Sequence, residues 1–242
     1  MGKLFHRLLY RLLSLEDYLR VVSRLFFLNR WLGLGRTGRA LEYNYHLPQL
    51  VRKGDVAIDI GANLGYYTRP LADIVGAEGE VYAVEPVPVI FSVLERNVRG
   101  CSNVHLMNYA LGKEECDVEM ANDSVAEVGY FGTGRNFVSE GSLSKSAVRF
   151  TAQMKRGSDL FGGLERIDFI KCDIEGYERI VMPELRPLIE RHHPTVLIET
   201  DGDTRHKIVD LFTELGYKAF MLKNSIEVPL DIYSDKDIIF RY

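Results

Sequence analysis

From Gly54 onward, short apolar runs alternate with segments of helical periodicity. The apolar runs predict seven β-strands, at Val56–Ile60, Val81–Val84, Val104–Asn108, Phe169–Asp173, Val196–Glu199, Tyr217–Leu222 and Asp237–Arg241. Helices are predicted at Tyr66–Ile74, Val87–Val98, Tyr177–Arg191, interrupted by its prolines, and Thr204–Leu215. Strands that alternate with helices are typical of a mostly parallel sheet with helices on both faces. We therefore predict a doubly wound α/β fold.

Length and charge limit the class of protein further. A chain of 242 residues fits one large α/β domain with a terminal extension. Its net charge of −4 gives no overall attraction to nucleic acid, so no nucleic-acid partner is expected. Cys101, Cys116 and Cys172 are widely spaced and form no CxxC pair. We expect reduced thiols in a cytoplasmic protein rather than a zinc site or a disulfide framework.

The N-terminal segment, residues 1–40, differs from the rest in charge. Residues 1–39 hold eight cationic and two acidic side chains, a net charge of +6 that leaves −10 for the remainder. Apolar residues recur every three or four positions from Leu4 to Phe26, which predicts an amphipathic helix broken near Ser14 or Asn29. Arginines interrupt each apolar stretch, so the segment is neither a signal peptide nor a membrane span. Two interpretations stay open: contact with the inner surface of a membrane, or a cap that packs on the domain or self-associates.

The stretch AIDIGANLGYYT, residues 57–68, predicts a strand, a tight turn and a helix. Gly61 and Gly65 allow the backbone to turn sharply and to approach a ligand. A dinucleotide-binding turn would also need glycines at the positions of Asn63 and Tyr66, so an NAD-dependent oxidoreductase is disfavoured. No GK[ST] follows, which excludes a P-loop. The pattern suits a ligand that lacks phosphate and carries a charged amino acid end.

The ends of three neighbouring strands extend this site. Glu85 ends the second strand, where a carboxylate can accept hydrogen bonds from both hydroxyls of a ribose. Asp59 ends the first strand and can organise the turn or meet the ammonium group of the ligand through water. Residues 108–110, after the third strand, would lie beside the base of a nucleoside. Turn, acid and third-strand end together describe a site for S-adenosylmethionine.

Five segments carry a specific resemblance: IDIGANLGYYT, AVEPV, NYAL, IDFIKCDIEGYE and PTVLIE. In order and spacing they resemble the FkbM-like family of S-adenosylmethionine-dependent methyltransferases, over about residues 41–242. The resemblance implies a class I, Rossmann-like domain with seven strands, the last antiparallel, and methyl transfer to oxygen on sugars or other small metabolites. The predicted cofactor-binding residues are Asp59, Gly61, Ala62, Asn63, Gly65, Tyr67, Thr68, Glu85, Pro86, Asn108, Ala110 and Asp173.

Acidic residues follow the fourth and fifth strands. The predicted catalytic residues are Asp173, Glu175, Glu199 and Lys171. A hydroxyl acceptor must lose its proton as the new bond forms, and a crowded carboxylate can act as base or orienting group. Three acids could instead hold Mg²⁺, or merely cap the next helix; we favour the carboxylate and predict no metal. Lys171 shares a strand face with Asp173 and could pair in the cleft or simply close an ion pair.

A glycine- and serine-rich insertion at residues 112–158 interrupts the strand–helix alternation. It predicts short antiparallel strands and loops over one end of the sheet. Its side chains are expected to shape the site of a small-molecule or carbohydrate acceptor; those singled out are Tyr130, Phe131, Arg135, Asn136 and Phe137. His46 could cover the cofactor or be an ordinary structural histidine. The remaining alternative is a non-catalytic or membrane-peripheral protein that retains the fold.

Overall fold

Eight strands form the central sheet of the computed structural model, which describes residues 2–35, 41–139, 147–200, 202–233 and 237–242. In these residues the strands are β1 Val56–Ile60, β2 Glu80–Val84, β3 Val104–Met107, β4 Ala110–Leu111, β5 Cys116–Asn122, β6 Asn136–Val138, β7 Val148–Lys155, β8 Phe169–Cys172, β9 Thr195–Glu199, β10 Lys218–Lys223, β11 Ile226–Pro229 and β12 Asp237–Arg241. The α-helices described are α1 Lys3–Leu12, α2 Leu15–Trp31, α3 Glu42–Leu50, α4 Thr68–Val75, α5 Pro88–Val98, α6 Ser124–Val128, α7 Gly157–Phe161, α8 Glu178–Glu184, α9 Arg186–His192 and α10 Gly202–Glu214.

The central sheet has the order β11-β10-β12-β9-β8-β1-β2-β3. The five strands from β9 to β3 are parallel, whereas β12 runs antiparallel to both of its neighbours. The predicted doubly wound sheet with an antiparallel last strand is therefore confirmed. These strands are short apolar runs because parallel strands covered by helices are buried on both faces.

The predicted count of seven strands in this sheet is wrong, because β11 adds an eighth at the edge. β11 pairs antiparallel with β10 through a two-residue turn at Asn224 and Ser225. Both turn residues have positive φ, 53° and 60°, the backbone that a tight hairpin turn requires. Neither residue is glycine, so the usual sequence signal for such a hairpin is missing.

Helices cover both faces of the sheet. On one face, α8, α9 and α10 pack on strand side chains such as Ile58, Ile170 and Phe240. On the other face, α3 and α4 pack on side chains such as Phe169 and Leu197. The predicted helix over residues 177–191 is two helices, α8 and α9, which meet at Leu185 between two prolines.

The insertion forms a second sheet among the described residues, in the order β4-β7-β5-β6. β5 is antiparallel to both β6 and β7, as the sequence predicts, although β4 joins β7 in parallel. Residues 140–146 of this insertion lie outside the described residues. We call this small sheet, together with α6, the cap, because it covers the carboxyl ends of the central strands.

The N-terminal segment is two helices. The break falls at Ser14, whose Oγ accepts a hydrogen bond from the backbone N–H of Asp17 at 3.2 Å, the geometry of a helix N-cap. α2 then buries Tyr18, Leu19 and Val22 against α5 and the cap, whereas α1 buries no side chain fully. In the described part of the chain, no helix is long and apolar enough to cross a membrane. The end of the predicted segment, residues 36–40, lies outside the described residues.

Candidate active site

A cleft opens where the carboxyl ends of β1, β2 and β8 meet the cap. It encloses about 610 Å³ of empty space, its open mouth included. Six predicted cofactor residues line it: Gly61, Asn63, Glu85, Pro86, Ala110 and Asp173. The predicted catalytic residue Glu175 lines it as well. The other predicted site residues do not line it: Asp59, Ala62, Gly65, Tyr67, Thr68, Asn108, Lys171 and Glu199.

The turn after β1 forms one edge of the cleft. Gly61 has a φ of +77°, and a Cβ there would overlap the carbonyl oxygen of Asp173. Gly65 has a φ of +85° and a Cβ there would lie 3.0 Å from Leu94 Cδ1. In the structure, the absence of a side chain at these two positions makes room for neighbouring protein segments. Gly61 allows the end of β8 to approach the turn, and Gly65 allows α5 to pack against it.

Glu85 connects the turns that follow β1 and β2. Its Oε2 accepts a hydrogen bond from the backbone N–H of Asn63 at 3.0 Å, and its Oε1 accepts one from that of Val87 at 2.9 Å. Burial raises the pKa of this carboxyl to about 7, although the two N–H donors act against that shift. Each carboxylate oxygen can accept a second hydrogen bond, so Glu85 retains acceptor capacity at the cleft wall.

Asn108 supports the same turn from behind the cleft. Its Nδ2 donates to the carbonyl oxygens of Glu85 at 2.7 Å and Pro86 at 3.2 Å. Tyr109 and Ala110, which follow it, line the cleft, whereas Asn108 itself does not.

A buried charged row leads from the sheet interior to the cleft. Asp59 is fully buried and its Oδ2 accepts a hydrogen bond from Thr68 Oγ1 at 2.6 Å. Lys171 is level with Asp59 on the neighbouring strand, and its Nζ lies 3.0 Å from Oδ2 of Asp173. The same Nζ lies 4.8 Å from the centre of the Tyr67 ring. Lys171 thus joins the interior to an acid at the cleft.

The charges in this row shift one another's ionisation. Burial raises the pKa of Asp59, and the nearby Lys171 ammonium opposes this rise. Burial also acts against the charged form of Lys171, but the carboxylates of Asp173 and Asp59 outweigh it and raise the pKa of the ammonium above its usual value. Lys171 therefore remains a cation that holds Asp173 in place.

The chain makes a left-handed turn directly after Asp173. Glu175 has a φ of +53° and Gly176 one of +92°, which turns the Glu175 side chain toward the cap. A Cβ on Gly134 would lie 3.5 Å from Glu175 Oε1, so this acid reaches across the cleft. The buried Glu178 accepts a hydrogen bond from the backbone N–H of Ile174 at 2.9 Å and stabilises the turn.

Glu199 lies outside this arrangement. It ends β9 and is level with Asp237 of β12 in the strand register, one strand further from the cleft than Asp173. Within the described residues, no group of three or more His, Cys, Asp and Glu side chains is arranged to hold a metal ion.

Several cleft residues were not singled out from the sequence: Ile60, Val84, Tyr109, Leu111, Met120, Thr133, Gly134, Val138, Ile174 and Tyr177. Most come from the cap or the turns beside it, where no local pattern indicates which side chains face the cleft. Of the five insertion residues that were singled out, Asn136 lines the cleft. Phe131 is buried in the core, and Arg135 is exposed in an ion pair with Glu127.

His46 is a structural histidine in this fold. Its Nε2 lies 2.9 Å from Oε1 of Glu227, which also pairs with Arg241. It lies in a groove between α3 and β11 and does not line the cleft. Cys101, Cys116 and Cys172 are free thiols, and Cys172 is fully buried.

The sheet order, the antiparallel last strand and the cleft over the parallel strand ends define a Rossmann-like methyltransferase fold. A family model described as the methyltransferase FkbM domain matches residues 59–219, about two thirds of the chain. The chain belongs to the FkbM methyltransferase family. No curated protein sequence matches it.

Several solved structures are similar to this chain at low sequence identity. The FkbM methyltransferase of Methylobacillus flagellatus KT is 16% identical, with a TM-score of 0.53 over 80% of this chain and 45% of that one. Fibrillarin of Aeropyrum pernix with bound S-adenosylmethionine is 15% identical, with a TM-score of 0.47 over 80% of this chain and 68% of that one. An S-adenosylmethionine-dependent O-methyltransferase of Thermotoga maritima is 13% identical, with a TM-score of 0.44 over 84% of this chain and 64% of that one. The chain thus spans less than half the length of the Methylobacillus protein.

Proposed function

We propose that this protein is an S-adenosylmethionine-dependent O-methyltransferase that acts on a hydroxyl group of a sugar, a glycan or another small metabolite. The observation that carries the proposal is the convergence of Glu85 and Asp173 on one cleft beneath the cap. Family membership supplies the reaction class, and the cleft supplies groups suited to both substrates.

The residues at the β1 and β2 ends fit the cofactor. Glu85 is held by two backbone N–H groups and retains lone pairs at the cleft wall, which suits the two hydroxyls of a ribose. Apolar side chains beside it, among them Val84 and Leu111, offer a surface for a flat base. When bound, the cofactor supplies an electrophilic methyl carbon on a sulfonium, and the sulfur leaves with the electron pair of the broken bond.

The residues at the β8 end suit proton removal from the acceptor. Asp173 is oriented by Lys171, which lies 3.0 Å away and is itself buried. In the proposed reaction an Asp173 oxygen accepts the hydroxyl proton as the acceptor oxygen bonds to the methyl carbon. Lys171 is a positioning residue, since it reaches the reaction only through Asp173.

The cap side of the cleft suits a hydroxyl-bearing acceptor. Thr133 and Asn136 provide hydrogen-bonding groups, and Tyr109 and Tyr177 provide aromatic faces. Glu175 reaches toward the cap and can bind a second hydroxyl. Aromatic rings with a few fixed polar groups are the usual lining of small-molecule sites.

The cofactor is tested by calorimetric titration of the pure protein with S-adenosylhomocysteine, with NAD as the paired control. We expect binding of the former alone. Glu85→Gln should weaken it about 10- to 100-fold, in the range expected for hydrogen bonds to a charged group. The matched control is Glu80→Gln, at the exposed start of the same strand, which should bind as the unaltered chain does. A folded protein that binds no S-adenosylhomocysteine contradicts the proposal.

The reaction is tested with labelled S-adenosylmethionine and a panel of sugars and other hydroxyl-bearing metabolites. Asp173→Asn should lower kcat about 100-fold or more, the range for loss of a general base, with cofactor affinity largely kept. A protein that binds the cofactor but transfers no label to any oxygen in the panel contradicts the O-methylation part alone.

A further inference from the structure

Exposed apolar side chains are concentrated at the N-terminus of the described chain. Eight of the eleven large hydrophobic side chains that are exposed in the described residues lie in α1, in α2 or directly after α2: Leu4, Phe5, Leu8, Leu12, Leu28, Trp31, Leu32 and Leu34. Leu4 and Trp31 are each 80% exposed. Single exposed apolar residues are ordinary, but a group confined to two helices indicates an interaction surface.

α1 is attached to the rest of the protein along one side only. The His6 ring stacks on Tyr130 of the cap at 4.9 Å, and Arg7 Nε donates to the carbonyl oxygen of Val128 at 2.7 Å. Leu4, Leu8 and Leu12 recur every four residues and are exposed, so they form a stripe on the side turned away from these contacts. The stripe therefore faces solvent while the helix itself is held in place.

A groove lined by arginines lies beside α2. Four arginines from α2, α4 and α5 line it, together with Phe27 and Asn97: Arg20, Arg24, Arg69 and Arg96. We call it the arginine groove. Arg20 pairs with Glu16 and Asp17, whereas Arg24 and Arg96 form no ion pair with any carboxylate that the structure describes.

The chemistry of the arginine groove suits a phosphate group. Guanidinium groups bind phosphate oxygens through paired hydrogen bonds, and several like charges around one groove repel each other unless an anion lies between them. Arg69 is held by a hydrogen bond from its Nη1 to the carbonyl oxygen of Asn97 at 3.2 Å. At least one of the four guanidinium groups is therefore fixed in position.

The arginine groove and the apolar residues share one side of α2. Arg24, Leu28 and Trp31 are spaced by four and then three residues, which places them on the same face of the helix. Trp31 and Leu28 are both exposed. A basic groove thus continues directly into an exposed apolar edge that contains the one tryptophan of the chain.

We propose that α1, α2 and the arginine groove form a docking surface for an anionic phospholipid bilayer. Headgroup phosphates occupy the arginine groove, and the α1 stripe and Trp31 enter the interface between headgroups and acyl chains. Charge complementarity selects this occupant: residues 1–39 carry +6 and the remainder −10, so an anionic membrane attracts this face and repels the rest. A second copy would instead bring two basic surfaces together.

The test uses the full chain and vesicles of phosphatidylcholine with or without phosphatidylglycerol. The fluorescence of Trp31 reports directly on contact with the vesicle, since Trp31 is the single tryptophan and lies on the proposed surface. We expect co-sedimentation and a blue shift of its fluorescence with the anionic vesicles alone, both reduced by salt. The double variant Arg24→Gln, Arg96→Gln should weaken binding about 30-fold, from about fivefold for each basic residue near such a surface.

Matched controls separate this surface from general effects. Arg191→Gln removes an exposed arginine of α9, and Tyr233→Ser removes an exposed aromatic side chain, 89% exposed, outside the N-terminal helices. Both variants should bind anionic vesicles as the unaltered chain does, whereas Leu4→Ser combined with Leu8→Ser should bind several-fold more weakly.

Three outcomes overturn the proposal. The first is a natively folded chain that shows no blue shift or co-sedimentation with anionic vesicles. The second is binding that is equal for neutral and anionic vesicles or unchanged by the arginine variants. The third is a light-scattering mass of a dimer in which Trp31 is already shielded without vesicles. Calorimetric titration with inorganic phosphate distinguishes a lipid headgroup from a free anion. Phosphate binding without vesicle binding would assign the arginine groove to a soluble anion and overturn the proposal.

Discussion

Gly61 is the position where a small change should have the largest effect on both fold and site. It has a φ of +77°, and in Gly61→Ala the new Cβ would overlap the carbonyl oxygen of Asp173 and lie 3.1 Å from Ile174 Cγ2. The left-handed backbone costs an alanine about 1 to 2 kcal/mol. Displacing packed atoms costs about 1 to 3 kcal/mol more. We therefore expect the free energy of unfolding to fall by about 2 to 5 kcal/mol.

Two other glycines separate these contributions. Gly54 has a φ of +84° with no atom within 4 Å of a built Cβ, so Gly54→Ala carries the backbone cost alone. Gly100 has neither a positive φ nor a close neighbour, so Gly100→Ala should stay within about 0.5 kcal/mol of the unaltered chain. The difference between Gly61→Ala and Gly54→Ala measures the contact with the end of β8.

The assay is urea unfolding followed by circular dichroism, with thermal melts alongside. At about 2 to 4 °C per kcal/mol, Gly61→Ala should lower Tm by roughly 4 to 20 °C. Because Asp173 and Ile174 line the cleft, the folded variant should also bind S-adenosylhomocysteine more weakly. Equal unfolding free energies for Gly61→Ala and Gly54→Ala would refute this prediction, since they would show that the residues after β8 do not pack closely against the turn.

Three further predictions follow from buried polar groups. In Lys171→Met, Asp173 loses its ion-pair partner and the fully buried Asp59 loses a nearby cation, so the free energy of unfolding in urea should fall by about 3 to 5 kcal/mol. Adding Asp59→Asn should recover part of this loss, and no recovery would contradict the electrostatic coupling of Lys171 and Asp59. Burial raises the pKa of Glu85 from its ordinary 4.5 to about 7, so the folded state binds more protons in that window and stability falls as pH rises through it. The pH profile of Glu85→Gln should be flatter than that of the unaltered chain, and parallel profiles would contradict the shift. Tyr18→Phe removes the hydrogen bond to the carbonyl oxygen of Phe131 at 3.2 Å. It should lower the free energy of unfolding by about 1 kcal/mol and speed amide hydrogen exchange in the cap. Unchanged exchange in the cap would show that α2 does not stabilise it.

The candidate site shows which of its residues could be placed correctly from sequence patterns. The glycine turn, Glu85 and Asp173 could be placed near one another because each follows a strand whose apolar run is easily seen, and neighbouring parallel strands end at the same edge of a sheet. The same argument placed Glu199 and Asn108 at that edge. Both are near that edge but do not line the cleft, because Glu199 ends a strand further away and Asn108 lies behind the turn. Strand order is accessible to such reasoning, whereas the direction of a side chain beyond the strand end is not.

In the cap and the N-terminal helices, the sequence could not predict how segments pack against one another. β5 pairs with β7 between residues that are 26 to 38 positions apart, from Asn122 level with Val148 to Cys116 level with Met154, and no local pattern encodes that register. The amphipathic period of residues 4–26 predicted a helix broken near Ser14 or Asn29, but it could not show which apolar face would be covered. In the folded chain α2 buries its face on α5, whereas α1 leaves its leucine stripe in solvent.

The α/β class, the positions of the main strands, the turn after β1 and the uneven charge could all be predicted from the amino-acid sequence, because burial period and turn chemistry act over a few neighbouring residues. The folded structure was needed to show that Gly61 makes room for the Asp173 carbonyl, that Lys171 holds the Asp173 side chain beside the cleft, and that the cap closes the cleft. The Gly61 contact joins positions 112 residues apart, and the other two depend on how the strands and the cap pack against one another. Such contacts exist only once the sheet has formed.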